Sequence, residues 1–359
     1  MAGAACVAGL LGVLPCSAQI TPPNGPAPPN DTPSIKVGVL IFADYTVQQQ
    51  PKVKDADNNA ITLTAFQIGR SYINVTGHIS HSISFRVTPD IVRDADAASS
   101  LDGSYTFRLK FAYVQWSLDD HMTRGSFARF GMEPTPWVEF IDGVYRYRFQ
   151  GQTFEDREGI LPSSDAGASF HYSFAGDYGD AQAAIFNGET FSHAEVNDQK
   201  SLQLRATIRP MPSRALLHGL RLTAFWDRDA YVKNADRRRA IAAVTFEHPR
   251  LNAGFNYLAA KDRTSAAATA IYGRGWSAFV TPRTAWGWEG LLRFDHLQPS
   301  KVLPAQTKNR AIAGIAYWFP HQGAVASALL LDIDNVTSKG FTPAQPTVRK
   351  IALHALVSF

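Results

Sequence analysis

Arginine and lysine recur at alternate positions in this chain: Arg86; Arg108 and Lys110; Arg129; Arg205 and Arg209; Arg221; Arg293; Lys350. A smaller acidic set, Asp44, Asp227, Glu289, Asp295, Asp332 and Asp334, falls at comparable places. Two-residue spacing puts such charges on one face of an extended strand. Fixed charges around a narrow aqueous passage draw in ions of opposite sign and exclude the others. Because cations outnumber carboxylates, that passage would favour anions weakly. Taken singly, each charge would equally well solvate a wall.

Catalytic chemistry has little to stand on. His171, His193, His218 and His354 are scattered, without metal-ligand spacing. No HExxH, P-loop or GxGxxG before a helix occurs, and no nucleophile elbow is visible. No cofactor is expected. The formal net charge is +4 and the one basic block is Arg237-Arg238-Arg239, which reads as a solvated strand end and not as a nucleic-acid surface.

The densest charge lies between Met132 and Ser163. This stretch carries Glu133, Glu139, Asp142, Arg146, Arg148, Glu155, Asp156, Arg157 and Glu158, with Trp137 and Tyr145 among them. Connections of this length are usually functional or disordered, and aromatic content argues against disorder. The expectation is a loop that folds inward, with Arg146 and Arg148 facing the ion path. In an extended segment these two point the same way, while Tyr145 and Tyr147 turn to the wall. Arg108 and Arg129 would oppose them, and Glu133 and Glu139 would temper the field. The alternative leaves the loop outside as a lid or receptor surface.

The elements that must position these charges are strands. Leu202, Leu204, Ala206 and Ile208 oppose Gln203, Arg205, Thr207 and Arg209; Leu220, Leu222, Ala224 and Trp226 oppose Arg221, Thr223 and Asp227. Similar alternation divides Ile79–Thr88 and Phe107–Tyr113. The pattern gives about sixteen strands, near 35–48, 61–76, 78–89, 104–117, 123–132, 164–175, 180–188, 199–210, 218–231, 238–248, 251–261, 269–281, 284–297, 308–319, 323–335 and 346–359. Long connections, including Gln49–Ala60, Asp90–Gly103, Met132–Ser163 and Asn187–Asp198, alternate with short ones, including Leu118–His121, Gly176–Gly179 and Pro249–Arg250. A transmembrane antiparallel up-and-down β-barrel has this asymmetry, and an even strand number. A β-sandwich has no reason for it. Trp116, Trp286, Trp288, Tyr317, Trp318 and Phe319 fall near one predicted rim, as an aromatic girdle would. The final stretch alternates Ile351, Leu353, Ala355, Val357 and Phe359 with polar residues, resembling the assembly signal of such barrels.

Three regions follow. Residues 1–18 are small and uncharged, with Cys16-Ser17-Ala18 suiting cleavage after Ala18; they read as a signal peptide, although no basic residue lies near Met1. Val13-Leu14-Pro15 is a poor match to a lipoprotein anchor on Cys16. Residues 19–34 are a Pro-rich linker, and residues 35–359 the barrel. Both cysteines, Cys6 and Cys16, lie in the first region, so the mature chain would have no disulfide.

Arg129-Phe130-Gly131-Met132-Glu133-Pro134-Thr135-Pro136-Trp137, then Tyr145-Arg146-Tyr147-Arg148, then Asp156-Arg157-Glu158-Gly159 resemble the phosphate-selective porin O and P family, and Lys36–Tyr45, Phe66–Asn74 and Phe107–Trp116 fit the same pattern. The resemblance spans nearly the whole mature chain. It implies a sixteen-stranded barrel, a homotrimer, and a Gram-negative outer membrane as its site, with membrane lipids as neighbours. It does not establish phosphate as the solute, because the long loop mixes both signs. The expected function is passive diffusion of small hydrophilic solutes or anions, with a constriction set by Arg146, Arg148, Arg108, Arg129, Lys110, Arg86, Arg205, Arg221 and Glu133. The alternatives are a barrel lipid hydrolase and a non-conducting structural or adhesive barrel.

Overall fold

The computed structural model describes residues 32–359. The expected signal peptide and nearly all of the linker lie outside the described residues. Sixteen strands follow in order: β1 (Ser34–Lys54), β2 (Ala60–His78), β3 (Ile83–Arg93), β4 (Tyr105–Ser117), β5 (Phe127–Pro134), β6 (Ser164–Ser173), β7 (Gly179–Phe186), β8 (Ser201–Ile208), β9 (Leu220–Val232), β10 (Ala235–His248), β11 (Leu251–Asp262), β12 (Ile271–Pro282), β13 (Trp288–Gln298), β14 (Thr307–Phe319), β15 (Ala326–Lys339) and β16 (Val348–Ser358). Two short helices, α1 (Pro136–Tyr145) and α2 (Phe154–Arg157), lie between β5 and β6.

Each strand pairs antiparallel with its sequence neighbours, and β1 pairs with β16, so the sheet is a closed up-and-down barrel. At the seam, the Val39 N–H donates to the Phe359 carbonyl at 2.8 Å and the Phe359 N–H donates back at 3.1 Å. Closure leaves no strand edge unpaired, which is what a sheet in hydrocarbon requires.

The two faces are inverted relative to a water-soluble protein. On β8, Gln203 is 2% exposed and Leu204 is 43% exposed. Leu222, Val244, Phe255, Leu292, Ile315 and Leu353 are likewise exposed, while Thr223, Asn256, Arg293 and Asp332 are buried. Period-two alternation puts the charged set inside the ring and the leucines outside.

Several boundaries differ from the sequence reading. Residues 79–82 form a turn, with the Ile79 N–H donating to the Ile83 carbonyl at 2.8 Å, so β3 starts at Ile83. The expected long connection Gln49–Ala60 shrinks to a turn at 55–59, because the Asp55 carboxylate accepts from the Asp57 and Asn59 N–H groups at 3.0 and 2.9 Å and lets the hairpin extend. The alternation of long and short connections also holds only in part. The rim carrying 135–163 and 187–200 also carries the tight turn 233–234, and the opposite rim carries the longer 118–126 and 209–219. These rims are called upper and lower below. Trp318 is not part of an outer girdle: its ring packs on Tyr147 and Phe149, whereas its neighbour Tyr317 packs on Trp288.

Candidate pore constriction

The segment 135–163 is built to dock. Thr135 precedes Pro136 at the first helical position, where a missing N–H costs nothing. In α1, Trp137, Val138, Ile141, Val144 and Tyr145 recur at helical spacing and are all buried. They meet apolar residues on the otherwise polar inner face: Phe225 of β9, Ile241 of β10, Leu258 of β11, Phe279 of β12 and Leu291 of β13. Trp137 and Phe225 have ring centroids 6.0 Å apart, and Tyr145 meets Phe279 edge-on at 5.2 Å.

Polar anchors continue around the ring. Asn252 of β11 donates to the Val144 carbonyl at 2.9 Å, and Asn256 of β11 donates to Glu155. The Tyr147 hydroxyl donates to Glu289 of β13 at 3.0 Å and accepts from the Trp318 indole of β14 at 3.2 Å. Gln150 donates to Asp332 of β15 at 2.8 Å, and Lys308 of β14 pairs with Glu158 at 2.7 Å. Phe149 packs on Phe42 of β1, and Lys110 of β4 donates to the Ser163 hydroxyl. One segment thus touches β1, β4 and the run from β9 to β15.

The chain reverses at Arg146, whose φ of 63° caps α1 in the left-handed conformation. The extended geometry expected for 145–148 therefore does not hold, and Arg146 and Arg148 diverge. Arg146 lies over the Trp318 ring at 4.8 Å, with Glu289 3.7 Å away. Arg148 is clamped within its own segment by Asp156 at 2.7 Å and Asp142 at 3.4 Å. Tyr145 and Tyr147 are both buried, the first against Phe279 and the second against Trp318.

The remaining expected constriction residues spread over the inner face. Arg108 pairs with Asp90 at 3.0 Å, and Lys110, 2% exposed, lies 4.2 Å from the Phe191 ring centre. Arg86 donates to Asn74 at 2.8 Å. Arg129 donates to Glu139 at 2.9 Å, and Glu133 accepts from Ser169 at 2.6 Å. Arg205 pairs with Asp180, and Arg221 with Glu247. Of these nine residues, only Arg148 lines the cavity left between the segment and strands β1, β2 and β14–β16. That cavity, about 330 Å³, sets Arg70, Arg148, Arg157, Arg310 and Lys350 around Asp44, Asp332 and Asp334. Arg70 and Arg310 were absent from the sequence-based set. Their signal is strand phase: Arg310 lies two residues after Lys308, and Arg70 two before Tyr72, whose hydroxyl it reaches at 3.0 Å.

Glu155 has no exposed surface, and among the described residues one of its carboxylate oxygens has no hydrogen-bond partner. Burial pushes its carboxyl up to about 7.

No family model matches the chain, and no curated protein matches it by sequence. Solved outer-membrane porins share its fold. The anion-selective porin from Comamonas acidovorans superposes with a TM-score of 0.63 at 11% identity, over 91% of this chain and 100% of that one. Salmonella typhi OmpF in complex with daunomycin gives 0.61 at 11% identity, over 90% and 97%. OmpT of Vibrio cholerae in its trimer form gives 0.59 at 11% identity, over 92% and 100%. The fold class is therefore the sixteen-stranded porin-type barrel.

Proposed function

We propose that this chain is an outer-membrane porin that lets small hydrophilic solutes diffuse passively, with a weak anion preference and no catalytic role. The observation that carries the reading is the segment 135–163, which contacts strands on opposite sides of a closed ring. A segment can do that only by crossing the interior, where it narrows the passage and leaves a cavity around Arg148. Five basic side chains against three carboxylates there favour anions, and a low-dielectric wall focuses their field. The apolar outer face and the polar inner face support a membrane location. Residues 1–18 would act as a cleaved signal peptide in export, and residues 19–34 as a linker ahead of the barrel.

A homotrimer fits the reading, since one outer-membrane protein of this fold, OmpT of Vibrio cholerae, was solved in a trimer form. Kinship with the phosphate-selective porin O and P family rests on the motifs from Arg129 to Gly159. Acidic Asp44, Asp332 and Asp334 beside the basic residues favour a general channel over a tight phosphate site. Reconstitution in planar bilayers tests the proposal: stepwise conductance, with a reversal potential in asymmetric potassium chloride on the chloride side, is expected. A correctly folded, inserted barrel without conductance would overturn it.

A further inference from the structure

We infer that the outer surface of strands β8–β11, at the upper rim, binds the phosphorylated headgroup of a membrane lipid. The inference rests on the membrane-barrel reading above but not on conduction.

Arg238 of β10 stands directly opposite Arg228 of β9 on one side and Lys261 of β11 on the other. All three are in phase with the outward apolar residues of their strands: Leu222 and Trp226, Val244, Phe255 and Tyr257. Side chains directly opposite across antiparallel strands are roughly 5 Å apart at Cβ, and like charges there destabilise the sheet. Three cations in a row are thus a cost that the barrel does not need for its own stability.

Intramolecular pairing compensates it incompletely. Asp236 alone serves both Arg238, at 3.0 Å, and Lys261, at 2.8 Å. Among the described residues, Arg228 has no ion-pair or side-chain hydrogen-bond partner, and Arg238 remains half exposed. The row borders an open cavity of about 730 Å³, to which Arg263 adds a further cation, and Lys200 another that is paired with Glu195 at 3.0 Å. The other carboxylate there, Asp229, is turned inward and paired with Arg237.

Position selects the partner. The cations stand where the outward apolar band ends, with Leu202 and Ala230 at the cavity's edge. A lipid whose acyl chains lie along Leu204, Trp226 and Tyr257 would bring its headgroup to this level. Guanidinium forks match phosphate oxygens bidentately, and clustered Arg and Lys next to a membrane recognise anionic headgroups. The upper rim carries the two longest connections, 135–163 and 187–200, and the longest loops face outward in such barrels, so the lipid belongs to the outer leaflet.

The test uses the detergent-solubilised barrel and native mass spectrometry to count retained lipid. The probes are bis-phosphorylated lipid A, the same lipid stripped of both phosphates, and inorganic phosphate as competitor. Wild type and an Arg349→Gln control, which alters an outward arginine on the seam strand β16, well away from β8–β11, should retain the phosphorylated lipid at least tenfold better than the stripped one. The Arg228→Gln/Arg238→Gln variant should lose that preference. Equal retention of both lipids by wild type, or undiminished preference in the double variant, would overturn the inference. So would displacement by inorganic phosphate at the lipid's own concentration, which would mark a free-anion site. Conductance of the same samples is read separately: a barrel that holds the lipid but passes no current counts against the porin and not against this surface.

Discussion

Tyr147 and Glu289 meet across the barrel interior, the phenol donating to the carboxylate at 3.0 Å, both of them buried. This bond joins the middle of the 135–163 segment to β13, while the Trp318 indole donates to the same phenol oxygen. Tyr147→Phe removes both bonds and leaves Glu289 with its arginine neighbours alone. A lost bond to a buried charge costs roughly 1.5–3 kcal/mol. Faster hydrogen exchange confined to residues 144–152, with the strands unaffected, is the expected result.

Arg148 lines the cavity and Arg146 does not, so the two should separate functionally. Arg148→Gln should lower the chloride-over-potassium preference, most at low salt, where screening is weakest. Arg146→Gln should change it by less than half as much. Reversal potentials at two salt concentrations check this, and equal effects of the two variants would contradict the geometry.

Lys350 faces the same cavity with no ion pair among the described residues, whereas Lys110 is buried against Ser163. Lys350→Gln should reduce anion preference with thermal stability unchanged. Lys110→Met should do the reverse, altering stability with little change in selectivity. Paired measurements of melting and reversal potential separate the two.

Glu155 makes the docking of the segment depend on pH. Its carboxyl titrates near 7 when docked, against 4.5 ordinarily, so the docked form retains its proton while the undocked form loses it. Docking is therefore strongest below about pH 4.5, weakens as pH rises to about 7, and levels off above that. The upper bound on this change is about 3 kcal/mol. Hydrogen-exchange protection across residues 150–160, taken relative to the intrinsic rate at each pH, should fall from pH 4.5 to 7.5 in the wild type, and Glu155→Gln should flatten that dependence.

Leu204 and Gln203 are neighbours on β8 that face opposite ways. Leu204→Arg, two residues below the level of Arg228, should cost about 1–2 kcal/mol, between the interface and midplane values. Gln203→Lys, on the inner face, should cost much less. Denaturant unfolding in lipid vesicles measures both, and equal costs would mean that the outer face is not in lipid.

The barrel was legible because its physics is strictly periodic. Alternation in β8, β9 and β14 marks both faces whichever turns join them, and all sixteen expected strands have a counterpart. The docking of the segment was hidden by the same periodicity. Phe225, Ile241, Leu258, Phe279 and Leu291 fall in the polar phase of five successive strands, and read strand by strand each looks like an isolated exception. Together they form the apolar landing for α1. Inside 135–163, Pro136 and the spacing of Trp137, Ile141, Val144 and Tyr145 signal a helix. Treating that stretch as extended is what placed Arg146 and Arg148 side by side. The cavity residues Arg70 and Arg310 were missed because their proximity depends on ring closure, which brings together strands from the two ends of the chain.

That closure also sets an order of events. Every other strand pair joins sequence neighbours, so the sheet can grow hairpin by hairpin at small cost in loop entropy. The β1–β16 seam joins Leu40 to Ser358, and it cannot form until everything between is in place. Until then two raw edges stand open, one at each end of a curling sheet, and either can pair with another unfinished copy. The seam is thus the last step of assembly and the one most exposed to aggregation, and whatever helps this protein mature must hold those two edges apart from others until they find each other.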